Sequence, residues 1–139
     1  MGEYLNSFGG EGMKSQGNAT GEDYLVFLKE ALRLTSESHV NPAIVYPFLT
    51  SQQAKLNSSL IEVIRSFATR STIIDLFNFA NLVQQFPRGQ RDVNLEISIT
   101  IYSIALDFFD RNNNSTEWAT VQNNLGNAYS NRIKGERGE

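Results

Sequence analysis

The chain has no cysteine among its 139 residues. That absence excludes disulfides, Cys-ligated zinc, iron–sulfur clusters and thiol catalysis at the level of composition. Histidine is nearly missing too. His39 is the only one, so a His-rich metal site cannot be built, and any Ser-His-Asp arrangement would hang on a single residue in a predicted loop. No metal and no cofactor is expected. An excess of positive charge is also lacking: 12 Lys and Arg stand against 15 Asp and Glu, for a net charge of −3. Such a balance does not suit a chain built to neutralise phosphates, so no nucleic-acid partner is expected. No apolar run reaches the roughly 18 to 20 residues that span a bilayer, and the start lacks the basic and apolar stretches of a signal peptide. The expectation is a soluble, cytoplasmic protein without a membrane partner.

Six of the 10 glycines fall within Met1–Gly21, among polar residues with no helical period, which predicts a disordered leader over 1–21. The remainder, 22–139, is read as one helical domain. Thr20-Gly-Glu-Asp23 has the spacing of a capping box, and Tyr24, Leu25, Leu28, Ala31, Leu32 and Thr35 follow at three- and four-residue steps. Asn41-Pro42 is an N-cap and first-turn pair, with irregularity expected at Tyr46-Pro47. Ser59 with Glu62, and Thr72 with Asp75, have capping-box spacing and predict two further helix starts. Phe86-Pro87-Arg-Gly89 predicts a stop. Two longer helices are expected over 92–110 and 115–134, joined by Arg111-Asn-Asn-Asn114. The fold class is therefore all-α: an antiparallel helical bundle or short solenoid of about six helices, with 22–90 forming the N-terminal helices and 91–139 a helix pair.

The helix pair carries a resemblance. Asn94-Leu-Glu-Ile-Ser-Ile-Thr-Ile-Tyr-Ser-Ile-Ala-Leu106 resembles the second helix of a tetratricopeptide repeat (TPR), with Ser98, Tyr102 and Ala105 at the crossing positions. Glu117-Trp-Ala-Thr-Val-Gln-Asn-Asn-Leu-Gly-Asn-Ala-Tyr129 resembles the first helix of the next repeat through Leu125, Gly126, Ala128 and Tyr129. The wording around Trp118, Asn131-Arg and Gly135-Glu-Arg-Gly-Glu139 is similar to cyanobacterial TPR proteins that often carry a caspase-like CHAT domain. Val45-Tyr-Pro-Phe-Leu49 and Phe79-Ala-Asn-Leu-Val-Gln-Gln-Phe-Pro87 resemble the helical region before those repeats. Ser98 stands where alanine is usual, and the loop after Ala105 is longer than a repeat of about 34 residues allows. About one repeat's worth of helix pair is present, so the upstream helices must supply the stacking that repeats need.

The resemblance implies a non-catalytic protein–protein interaction module: a helical adaptor, or the N-terminal cap of a repeat array. It implies a partner-binding face made of Thr120, Asn123, Asn127, Ser130 and Asn131, whose amides and hydroxyls can meet a peptide backbone. It also implies close helix approach at Gly126 and Ala128. The alternative is a structural protein that self-associates as a homo-oligomer through Trp118, Leu125 and Tyr129. Catalysis is not expected: Glu96, Asp107, Asp110 and Glu117 have no recognised catalytic spacing and read as helix-surface charges.

Overall fold

The computed structural model describes residues 19–136 and Gly138. The leader expected over 1–21 lies outside the described residues up to position 18. Six α-helices follow: α1 (Gly21–Glu37), α2 (Pro42–Ser51), α3 (Ser58–Phe67), α4 (Ile73–Gln85), α5 (Arg91–Phe108) and α6 (Ser115–Glu136), with a 3-10 turn over Gln53–Lys55. There is no strand among the described residues. The chain is all-α, as its sequence predicts.

Helix α1 starts where the capping box sets it. The Thr20 hydroxyl accepts from the Asp23 N–H, and the Asp23 carboxylate accepts from the Thr20 N–H at 2.8 Å. Its buried stripe includes Phe27 in addition to the expected residues, while Leu25 is only half-buried. Phe27 stacks on Phe48 of α2, ring centroids 5.5 Å apart. The link from α1 to α2 bends through His39 and Val40, both with positive φ (59° and 58°), an uncommon conformation for residues other than glycine. The Val40 N–H donates to the Thr35 carbonyl at 2.8 Å, which fixes the turn.

Three expectations are corrected. Helix α2 runs through Pro47 without a break. Proline removes the bond to the Ala43 carbonyl, but both residues are exposed, so water can serve that carbonyl; the irregularity comes later, at Gln52–Leu56. Helix α3 is capped by Asn57, not Ser59: the Asn57 Oδ1 accepts from the Ser59 and Leu60 N–H groups. At α4, Thr72 makes no capping box with Asp75. Its hydroxyl accepts from the Thr69 N–H at 2.8 Å and donates to the Phe67 carbonyl at 3.0 Å, so the turn before the helix has taken the oxygen the cap would use.

Helix α5 is the axis of the molecule. It packs on α3, α4 and α6, while α1 lies on α2, α3 and α4. Asn94, Leu95, every residue from Ile97 to Tyr102, and Ala105 are buried, which explains the β-branched run in its middle: with neighbours on most sides, side-chain bulk outweighs helix propensity. The turn from α4 to α5 is closed by Gly89, at φ +78°, and by Asn94, whose Nδ2 donates to the Arg88 carbonyl at 2.8 Å. Arg91 of α5 donates to the Gln84 carbonyl, Ser98 to the Ala80 carbonyl, and the Tyr102 ring meets Phe77 edge-on. Partners thus step backward along α4 as α5 advances, so the two helices run antiparallel.

Candidate functional site

Helix α6 covers α5 and touches the edge of α4. Arg132, near its end, pairs with Glu96, near the start of α5, at 3.3 Å, so α5 and α6 are antiparallel. Val121 and Ala128 are its buried residues. At 3.6 residues per turn these mark the inward side; Ala119, Gln122, Gly126, Tyr129 and Ile133 form one strip at alternating steps of three and four, which runs from the far side of the helix at Ala119 and Gly126 toward the flank of Trp118 at Gln122 and Tyr129. All five are exposed.

The residues expected to bind a partner lie outside that strip, on the far side of the helix and on one flank. Thr120, Asn127 and Asn131 share the flank of Asn124, whose Nδ2 donates to the Oδ1 of Asn81 on α4 at 2.8 Å. Thr120 and Asn127 are exposed and Asn131 half-buried. The Thr120 hydroxyl donates to the Thr116 carbonyl at 2.9 Å. Asn123 and Ser130, also exposed, stand between flank and strip. The structure therefore brings these five residues onto one side of one helix, next to α4.

Of the residues expected to self-associate, Trp118 and Leu125 lie on the other flank and Tyr129 in the strip beside it, and they are unequal. Trp118 and Leu125 are half-buried and pack against the core, whereas Tyr129 is 39% exposed. Arg111 lies over the Trp118 ring at 5.6 Å and Arg132 over the Tyr129 ring at 5.0 Å; such cation–π contacts hold the rings in place at a partly solvated surface. Gly126 does not serve close approach to a neighbour within the fold. A Cβ built on it meets nothing within 4 Å, because it faces away from α5. Ala128 is fully buried and does allow α6 to settle on α5.

Charge separates this face from that of α1, while α2 is the other helix with an uncharged exposed side. Exposed positions of α1 carry Glu22, Asp23, Lys29, Arg33 and Glu37, and Arg33 pairs with both Glu30 and Glu37. From Trp118 to Asn131, α6 has no charged residue. Sequence reasoning passed over the outward strip of Ala119, Gln122, Gly126 and Ile133, although that charge gap was readable in the residues. It also missed the network beneath, in which the Tyr102 hydroxyl lies 2.6 Å from Asn81 Oδ1 and 2.9 Å from Gln84 Oε1. Burial pushes the Tyr102 hydroxyl well above the ordinary tyrosine range.

A cleft of about 860 Å³ opens between the starts of α3 and α5 and the end of α6, lined in part by Asn57, Arg91, Asp92, Glu96, Arg132 and Glu136. Arg132 is already engaged there, by Glu96 at 3.3 Å and by Glu136 at 4.0 Å. The acids weighed for chemistry do not converge. Glu96 is in the cleft, Asp107 and Glu117 are exposed elsewhere, and Asp110 organises its own loop. The Asp110 carboxylate accepts from the backbone N–H groups of Asn113 and Asn112, which hold it below the usual carboxylate range. His39 is exposed in its turn. Among the described residues no group of three His, Cys, Asp or Glu is placed to hold a metal ion, and no helix is long and apolar enough to cross a membrane. No family model matches this chain, and neither a curated protein nor a solved structure matches it.

Proposed function

We propose that this chain is a non-catalytic protein–protein interaction module, a TPR-like helical adaptor in the cytoplasm, and that its docking surface is the exposed side of α6. One observation carries the reading: four turns of exposed helix without a charged side chain. A surface that only meets water is usually charged, whereas the centres of protein interfaces are depleted of charge. The residues in that stretch are also poor choices for a solvated helix. Thr120, Asn123, Asn127, Ser130 and Gly126 all have weaker helix propensity than alanine, by up to about 1 kcal/mol for glycine. Retaining them at exposed positions fits a face kept for binding at some cost in stability. The amides and hydroxyls on the α4 side suit an extended peptide backbone, since each amide both donates and accepts.

The test is selection from a random peptide library displayed on phage, using the whole chain as bait. Peptides that bind this face lose affinity by roughly tenfold or more, the scale of one or two lost hydrogen bonds, when Asn123 and Asn127 are both changed to Lys. Helical content should stay unchanged, because both positions are exposed. Selected peptides that bind the double variant as well as the parent chain would show that α6 is not the docking surface.

A further inference from the structure

The outward strip of α6 is complementary to itself in one orientation. Ala119, Gly126 and Ile133 stand seven residues apart, with Gln122 and Tyr129 between them, the spacing of a seam between two helices. Tyr129 and Ile133 are among the large apolar side chains left exposed, at 39% and 47%. The two ends of the strip differ in bulk, with Ala119 at one end, Tyr129 and Ile133 at the other and glycine at the middle. Two parallel copies would set Ile133 against Ile133 and leave a gap between the alanines. Two antiparallel copies crossing at Gly126 set each Ile133 against the partner's Ala119 and each Tyr129 beside the partner's Gln122. Ile133 meets a small residue, the Tyr129 ring can lie along the Gln122 stem, and the glycines let the backbones close at the two-fold axis.

Charge supports the same orientation. Glu136 follows Trp118 by 18 residues, five turns, and so lies on the same side of α6. Arg111 is stacked over Trp118 at the other end of that side. Antiparallel pairing carries the exposed Glu136 carboxylate to the partner's Arg111. Lys134, on the opposite side, comes to the partner's Thr116, so no like charges meet.

Resting on the reading of α6 as a docking face, we propose that its occupant is a second copy of this chain, bound antiparallel with the two-fold axis at Gly126. A seam formed by one helix is at the small end of specific interfaces, so the dimer dissociates on dilution. Asn127 and Asn131, on the flank next to α4, lie off the seam and stay open in the dimer.

Because the chain contains no cysteine, single introduced cysteines report on the geometry without interference. Under mild oxidation, Gly126→Cys gives a disulfide-linked dimer, since the two-fold axis brings its copies within the 4.4–6.8 Å Cα separation that a disulfide needs. Ala119→Cys alone forms no disulfide cross-link, and neither does Ile133→Cys alone, but a mixture of the two cross-links. Light scattering of the parent chain shows a mass that doubles with concentration. Gly126→Glu raises the dissociation constant by roughly a hundredfold or more, because two carboxylates meet on the axis. That variant keeps its helicity, since glutamate is the better helix former and nothing lies within 4 Å. Glu136→Arg weakens the dimer, and adding Arg111→Glu restores it. Cross-linking of Ala119→Cys with itself, or a monomer at every concentration, overturns the proposal. A monomer that still selects α6-dependent peptides overturns the second copy alone, while a monomer that selects none overturns the docking face as well.

Discussion

The Tyr102 hydroxyl has two oxygen neighbours, Asn81 Oδ1 and Gln84 Oε1, and a single proton to give. It satisfies one at a time, unless the Gln84 amide turns over to donate instead. With this side chain fully buried, the folded state binds the proton more tightly than the unfolded chain does. The sign follows directly: the stabilisation is complete below the ordinary tyrosine value of 10.0 and is lost as pH rises above it, toward the elevated folded value. Tyr46, raised by burial as well and donating to the Leu82 carbonyl at 2.8 Å, adds to the same trend. Urea unfolding measured across the alkaline range should show stability falling above about pH 10, the usual tyrosine range, and Tyr102→Phe should make that fall shallower. An equal slope in the variant would mean that this hydroxyl does not report the core. Asp110 behaves oppositely. Its lowered pKa stabilises the loop above the usual carboxylate range, and that contribution is lost as pH falls.

Helix ends show how far spacing alone can be trusted. Thr20 and Asp23 stand three apart and form the box their spacing predicts. Ser59 with Glu62 and Thr72 with Asp75 have the same spacing and do not, because in each case a nearby group is better placed. Asn57 reaches two N–H groups of α3 at once, and its Nδ2 also donates to the Tyr24 hydroxyl at 2.7 Å, tying α3 to α1. Asn57→Ala is therefore expected to cost about 1–2 kcal/mol, the range for a lost cap, whereas Ser59→Ala changes little. Equal losses in thermal unfolding would return the cap to Ser59. Helix α5 carries the same lesson for faces. Leu95, Ile99, Tyr102 and Ala105 recur at three- and four-residue steps along one side, but Ile97, Ser98 and Ile101 are equally buried. A period shows which side of a helix must be covered and says nothing about whether other sides are covered too.

Across the molecule, stability is concentrated where helices surround helices. Nine residues of α5 are buried, against two of α6, and α6 is made of weaker helix formers. Native-state hydrogen exchange should therefore find the amides of α6 opening well before those of α5, with protection at its middle rising with protein concentration if the seam forms. Uniform protection across both helices, independent of concentration, would place α6 in the same cooperative unit as the core. The unevenness suits a docking element, which is commonly drawn from the less stable parts of a fold.

What the residues determined by themselves was the helical class, most of the helix limits and the polar character of α6, because these follow from local periods, prolines and caps that act within a few residues. The tertiary structure alone decided which side of α6 is left over. Val121 and Ala128 turn inward because α6 packs on α5 and its Asn124 is tied to Asn81 of α4, and only that choice puts Gly126 into open space and aligns Ala119, Gly126 and Ile133 on the surface. A repeating pattern states which residues share a side. The contact that buries one side, made by residues more than twenty positions away, decides which side is free to bind.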